Sequence, residues 1–411
     1  MKINKHCFPN GLRLVHYEDT STQMVALNIV YDVGARDEHP EHTGFAHLFE
    51  HLMFGGSAHI PDYDTPLQLA GGENNAWTNN DITNYYLTVP KPNVETAFWL
   101  ESDRMLELAF SEQSLEVQRG VVMEEFKQRC LNQPYGDVGH LFRPLAFRVH
   151  PYRWPTIGKE LSHIEQATLD EVKSFFYRFY APNNAVLAVT GNISWDETVK
   201  LTEKWFAPIP RRDVPVRQLP QEPEQTQERR LTVERNVPLD ALFMGYHMCS
   251  REGADYYAFD ILSDILSNGR SSRLNRRLVQ EQNIFSGIDA YISGTRDAGL
   301  LQISGKPAAG VSLEQAEAAV RRELEELRQS PVGEQELEKV KNKFESTQIF
   351  GNINYLNVAT NLAWFELTGK AEDIDLEVER YRSVTTEQLH TVAQRAFCEN
   401  NTVVLYYKSD K

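Results

Sequence analysis

At 411 residues the chain is too long for one ordinary domain and provides for two or three. With 41% hydrophobic and 24% charged residues, and no apolar run of eighteen, it reads as a globular protein rather than a disordered, fibrous or membrane-spanning one. The balance of 42 basic against 58 acidic side chains gives a net charge of −16, which repels a nucleic-acid backbone and favours solubility before it says anything about partners.

The opening "MKINKHCFPNGLRLV" has no apolar stretch long enough for a signal peptide, so cytoplasm is the expected compartment, with a removed leader as the alternative. Cys7, Cys130, Cys249 and Cys398 are far apart and form no C-x-x-C pair, which argues against a disulfide framework and against a thiolate metal site.

Two strand-like runs, "LRLVHYED" and "MVALNIVYDVG", lead into a helical stretch, "GFAHLFEHLMFGG". Amphipathic helices follow, among them "NVETAFWLESDRMLELAF" and "SLEVQRGVVMEEFKQRCL", and then a strand, "NAVLAVTGNI". The segment 208–230, rich in Pro, Gln and charge, predicts an exposed linker. Beyond it the order repeats: strands "RLTVERNV" and "ALFMGYHMCS", a helix "YYAFDILSDILSNGRSSRLNRRL", another in "LEQAEAAVRRELEELRQS", and a last strand "TVVLYYK". The expected organisation is therefore a metal-binding domain over 1–207, a linker over 208–230 and a homologous domain over 231–411. The expected class is α+β, each half a mostly antiparallel sheet with helices packed on one face, the halves free to open and close like a clamshell.

At an offset of 214 residues, Leu48 and Leu52 fall on Leu262 and Leu266, as a duplication places core positions. His47 and His51 fall on Ile261 and Ile265. Where this helix needs only to pack, apolar residues suffice, so the histidines of the first copy are kept for chemistry.

Residues four apart on a helix share a face, so His47 and His51 can present imidazole nitrogens to one ion, with Glu50 beside them. The order H-x-x-E-H is the familiar H-E-x-x-H zinc motif read backwards. Catalytic zinc needs a third protein ligand and an open position. On a helical wheel of "SLEVQRGVVMEEFKQRCL", Leu115, Val122 and Phe126 form the apolar centre, Glu125 lies on its flank and Glu124 roughly opposite. Glu125 is the expected third ligand, because a metal compensates a carboxylate placed among valines. Zinc would lower the pKa of water towards about 7, and Glu50 is placed to take its proton during amide hydrolysis. His42, His59, His140 and His150 read as ordinary surface or loop residues. No G-x-S-x-G elbow, G-x-x-x-x-G-K-[ST] loop or G-x-G-x-x-G turn suggests another chemistry.

"GFAHLFEHLMFGGS", "RGVVMEEF" and "GGENNAWTNNDITNYYLTVP" together resemble the pitrilysin (insulinase) family of inverted-zincin metallopeptidases, over most of the chain. The resemblance implies one zinc per chain on His47, His51 and Glu125, with Glu50 as general base. It also implies a substrate strand bordered by Asn75, Ala76 and Trp77. It points to the short-chain branch that includes processing peptidases, which commonly dimerise into a chamber and bind peptide as an added strand.

Two departures stand out. Gln118 replaces the family's glutamate seven residues before the third ligand, which removes a charge from around the metal. The arginine and tyrosine that family members acting alone carry in the second half fall on Leu278 and Phe285, and Arg277 is one residue off register. The expectation is a dimer, either a homodimer or a heterodimer with a paralogue that supplies the pair. The competing reading is a non-catalytic scaffold or assembly subunit of the same fold.

Overall fold

A computed structural model describes residues 1–410. The chain folds into two compact units, and their membership is not sequential. One comprises Met1–Arg129, Trp154–Leu219 and Ile349–Leu376, the other Cys130–Arg153, Pro220–Gln348 and Glu377–Lys411.

Among the described residues the first unit holds a six-stranded sheet: β1 (Ile3–Cys7), β2 (Arg13–Glu18), β3 (Met24–Tyr31), β4 (Glu73–Thr78), β5 (Thr83–Pro90) and β6 (Ala185–Gly191), in the order β1-β2-β6-β3-β5-β4. The second holds β7 (Arg229–Arg235), β8 (Ala241–Met248), β9 (Phe285–Ile292), β10 (Gly299–Pro307) and β11 (Thr402–Ser409), in the order β7-β11-β8-β10-β9. In each, one pair is parallel, β2 with β6 and β7 with β11, and the rest are antiparallel. Apart from β1 the two sheets have the same topology, which is the duplication seen as structure. This is the α+β class expected from the order of strands and helices.

Helices cover the front of each sheet, and one further helix covers the back. In the first unit Leu27, Ile29, Leu187 and Val189 point into the main core, while Ala26, Val30, Val186 and Ala188 pack against Val358, Ala359, Leu362 and Ala363 of the Tyr355–Thr368 helix. In the second, Val403, Leu405 and Leu300 meet Phe142 and Ala146 of the Val138–Ala146 helix. Gly245 of β8 permits this approach, since a Cβ there would stand 2.7 Å from Phe142 Cζ. Each half of the chain thus lends one helix to the other half's sheet. Two-faced burial of this kind demands continuous apolar strands, and β6 is buried at every residue.

Segment 208–230 has no regular structure until β7 begins, and it is pinned rather than loose. Arg217 reaches Asp37 (2.5 Å) and the Asp32 carbonyl (2.7 Å). Glu222 accepts the backbone amides of Arg148, Val149 and His150, and buried Gln225 donates to the Thr402 carbonyl. Its polar composition signals hydrogen bonding here, not full exposure. No helix among the described residues is long and apolar enough to cross a membrane.

Candidate metal centre

The helix Phe45–Leu52 starts at Gly44, whose φ of +87° suits glycine and whose Cβ would lie 2.7 Å from Ile164 Cδ1. Its first amides are met by a buried carboxylate: Gly44 N and Ala46 N both donate to Glu38, each at 2.9 Å. Burial pushes the Glu38 carboxyl up to about 8, against the opposing pull of these two amides. Phe45, Leu48, Phe49 and Leu52 are buried in the core, which fixes the rotation of the helix and turns His47 and His51 to one side.

The helix Glu112–Phe126 is capped by Ser111 and buries Leu115, Val122 and Phe126. Ser114 ties it to the loop after the first helix by donating to the Gly55 carbonyl at 3.2 Å. Glu125 comes to face both histidines: its Oε2 is 3.6 Å from His47 Nε2 and 3.3 Å from His51 Nε2. Glu124 points outward and pairs with Lys127 at 2.6 Å. A π-helical turn, Lys127–Leu131, follows directly and brings Arg129 Nη2 to 2.9 Å from the other Glu125 oxygen. Gln118 is half-buried two turns earlier.

Among the described residues these three form the only group of metal-ligating side chains close enough to share an ion, their donor atoms all within 4.8 Å of one another. The residues fit zinc on two counts. The donors are two imidazoles and a carboxylate, a common set for a catalytic site. The 3.3 and 3.6 Å separations suit neighbouring corners of a tetrahedron about an ion with bonds of about 2.0–2.1 Å, whose edge is about 3.4 Å. Burial, opposed by Glu125 and aided by the neighbouring His51 and Arg129, holds the His47 imidazole below its ordinary range, which favours the neutral form a metal requires.

Glu50, on the same helix, is half-buried and its carboxyl is raised by burial, with the Thr78 hydroxyl the foremost opposing influence. Thr78 donates to Glu50 Oε2 at 2.6 Å. It ends β4, the edge strand that also carries Asn75, Ala76 and Trp77 beside the histidine helix. Ala76 N points away from the sheet and is held by the Asn75 side chain at 2.8 Å.

A polar layer from the helix Val94–Leu106 supports this ground. Asp103 holds Ser57 Oγ (2.5 Å) and His59 Nδ1 (2.6 Å), while Arg104 and Glu101 form an ion pair, both about 1% exposed, beneath Phe54, Tyr63 and Tyr85. None of His42, His59, His140 and His150 belongs to the cluster: His42 faces Glu171 at 3.3 Å, and His150 is a buried loop residue of the second unit. Leu278 and Phe285 are core residues, 1% and 0% exposed, and Arg277 is held by Glu323 and Glu326.

Sequence reasoning missed Thr78, Arg129 and Glu38. Arg129 had a signal, its i+4 spacing from Glu125, and Thr78 had another, its strand alternation with Ala76.

The model of "Insulinase (Peptidase family M16)" matches residues 13–137, spanning both histidines and Glu125, and that of "Peptidase M16 inactive domain" matches residues 166–344. The chain belongs to peptidase family M16. Within that family it is 26% identical over 405 residues to the zinc protease PqqE of Helicobacter pylori, covering 97% of this chain and 91% of the relative. It is 25% identical over 411 residues to YmxG of Bacillus subtilis, an uncharacterised zinc protease, covering 98% of each. The crystal structure of a protease from Helicobacter pylori superposes with a TM-score of 0.94 at 26% identity, covering 99% of both chains. Pitrilysin, at 17% identity, shares the fold with a TM-score of 0.79, covering 99% of this chain and 45% of its own. In this M16 chain the half matching the inactive domain is the half whose helix carries Ile261 and Ile265.

Proposed function

We propose that the chain is a zinc-dependent endopeptidase, with 1–207 as its catalytic part and 231–411 as a homologous part without ligands. It hydrolyses short or unfolded peptides that lie as an extended strand along β4. The observation that carries this reading is the convergence of His47, His51 and Glu125 from two helices, with the Glu50 carboxylate on one of them hydrogen-bonded to the edge strand β4.

His47, His51 and Glu125 would hold the ion, which when bound supplies Lewis acidity that polarises a carbonyl and acidifies water. The chain's own groups do the rest. The outward amide of Ala76 hydrogen-bonds the peptide backbone once Asn75 releases it, so recognition requires an extended segment rather than a particular sequence. Glu50 accepts a proton from the attacking water as the new C–O bond forms, and returns it to the amine nitrogen as the C–N bond breaks.

With Leu278 and Phe285 in the core and Arg277 engaged, the second half has no free Arg/Tyr pair at these positions. This favours completion of the site by a partner subunit, a paralogue that keeps the pair, enclosing a chamber that folded proteins cannot enter, over a self-sufficient homodimer with a weaker substrate clamp.

Digestion of a mixed peptide library by the purified chain, alone and with a candidate paralogue, with and without a chelator, tests the reading. Cleavage is expected to vanish with chelation. Glu50→Gln is expected to retain about one zinc per chain and lose turnover. Unchanged cleavage by that variant removes Glu50 from the chemistry, and a protein that binds no zinc and cuts nothing under any of these conditions is a scaffold.

A further inference from the structure

The hydrogen bond between Thr78 and Glu50 joins the strand that would receive the peptide to the base that would serve its cleavage. Along β4 the side chains alternate, Asn75 and Trp77 exposed, Ala76 and Thr78 half-buried. Ala76 offers its amide at the open edge, and two residues on Thr78 Oγ1 donates to Glu50 Oε2 at 2.6 Å.

The mount beneath Thr78 is stiff. Thr78 pairs with Thr83 of β5, whose buried hydroxyl donates to the Val33 carbonyl at 2.9 Å. The turn between them is closed on itself, because Asn79 Oδ1 accepts the amides of Asp81 (2.7 Å) and Ile82 (2.9 Å). It is also stitched to the segment ahead of the histidine helix: Ala35 N and Arg36 N donate to the carbonyls of Asn79 and Asn80, and buried Arg36 pairs with Asp81 at 3.2 Å. Two residues after Arg36, Glu38 caps that helix. Glu50 is thereby held from both sides, by its own helix and by the strand.

We propose that Thr78 is a positioning residue: by occupying Glu50 Oε2 it fixes the plane of the carboxylate and leaves Oε1 directed at water, so that a peptide seated on β4 and the base move as one body. This deepens the peptidase reading and rests on it. The second half supplies a comparison, because at the same offset of 214 Asp264 takes the place of Glu50 and Ile292 that of Thr78. There the hydroxyl is gone, and Asp264 is held by Asn268, just past the end of its own helix, at 2.7 Å and faces Lys343 at 3.5 Å.

Thr78→Val keeps the shape of a β-branched strand residue and deletes the donor, Thr78→Ser keeps the donor, and Thr78→Ala guards against a fault peculiar to valine. The Val and Ala variants are expected to lower kcat by about 10- to 100-fold with KM and zinc per chain unchanged, and Ser to stay within about threefold of the parent. A thermal-unfolding cycle reads the same bond without catalysis. Thr78→Val is expected to lower the melting temperature by about 2 °C or more in the parent and by nothing measurable on a Glu50→Ala background. Parent-like kcat in Thr78→Val, a loss shared equally by Ser, or melting shifts that simply add would overturn the proposal. Should the parent show no zinc-dependent cleavage, the peptidase reading fails on that result, while the unfolding cycle still decides whether Thr78 and Glu50 are coupled.

Discussion

Strands β4 and β9 hold the same place at the edge of their sheets, each beside the helix that follows its sheet's central strand, β3 or β8, yet they treat their outward backbone groups differently. At Ala76 the outward amide is occupied by the side chain of the preceding residue, Asn75, which one rotation releases. At Ala290, 214 residues on, a serine from the neighbouring helix takes both groups: Ala290 N donates to Ser267 Oγ at 2.7 Å, and that hydroxyl donates to Ala290 O at 2.9 Å. An open edge invites another strand, and proteins that do not want one block it. The difference teaches that the two halves diverge in more than the exchange of His47 and His51 for Ile261 and Ile265. The second half ties both outward groups of its edge residue to a neighbouring helix, whereas in the first the Ala76 amide is met by the adjacent side chain.

The comparison breaks most severely if the first helix is given the second helix's residues. His47→Ile with His51→Ile is expected to abolish zinc binding and any zinc-dependent cleavage, a loss of at least about 10³-fold, with folding intact. Elemental analysis, peptide hydrolysis and circular dichroism check this, and persistent stoichiometric zinc would refute it. Next is the buried pair beneath the site. Glu101→Gln leaves Arg104 without its counter-charge in the core and is expected to cost about 3–5 kcal/mol in denaturant unfolding. A cost under about 1 kcal/mol would mean that the pair is solvated in solution.

Ser267→Ala sharpens the contrast between the edges. It strands two buried backbone groups and is expected to cost about 1–3 kcal/mol while zinc content and kcat stay at parent values. The smallest effect concerns Asp260, in the second unit's equivalent helix, whose carboxyl burial pushes up to about 6 despite the hydrogen bond from Tyr381, with Asp264 and Glu377 adding to the rise and Arg251 opposing it. A folded-state pKa raised above the unfolded value contributes stability that is complete at low pH and lost as pH rises through about 6. Asp260→Asn is expected to flatten the stability profile between about pH 4 and 6. An unchanged slope would place the titration elsewhere.

The repeat, the strands and the two helices that bring His47, His51 and Glu125 together were legible because each rests on local periodicity: His47, Glu50 and His51 lie on one short helix, and Glu125 was set by a helical wheel whose apolar centre, Leu115, Val122 and Phe126, is buried as expected. The exchange of helices was not, since no local pattern says which sheet an amphipathic helix will cover. A partial signal existed in β3 and β6, whose runs are apolar on both faces apart from Asn28 and Thr190 and call for cover on both, where helices on one face were expected. Glu38 and Thr78 stayed hidden for a related reason. A carboxylate six residues ahead of a helix and a hydroxyl on a separate strand acquire their roles only when loops close, and loop closure leaves little trace in composition.

The Val138–Ala146 and Tyr355–Thr368 helices decide how the molecule can be taken apart. Severing the chain within 208–230 would yield two fragments, each with a bare hydrophobic sheet back and each carrying the other's missing cover. Each fragment is therefore the other's best binding partner, so a protease that nicks this segment leaves one particle in two pieces. Such reciprocity is what remains when the two subunits of a domain-swapped dimer are fused end to end.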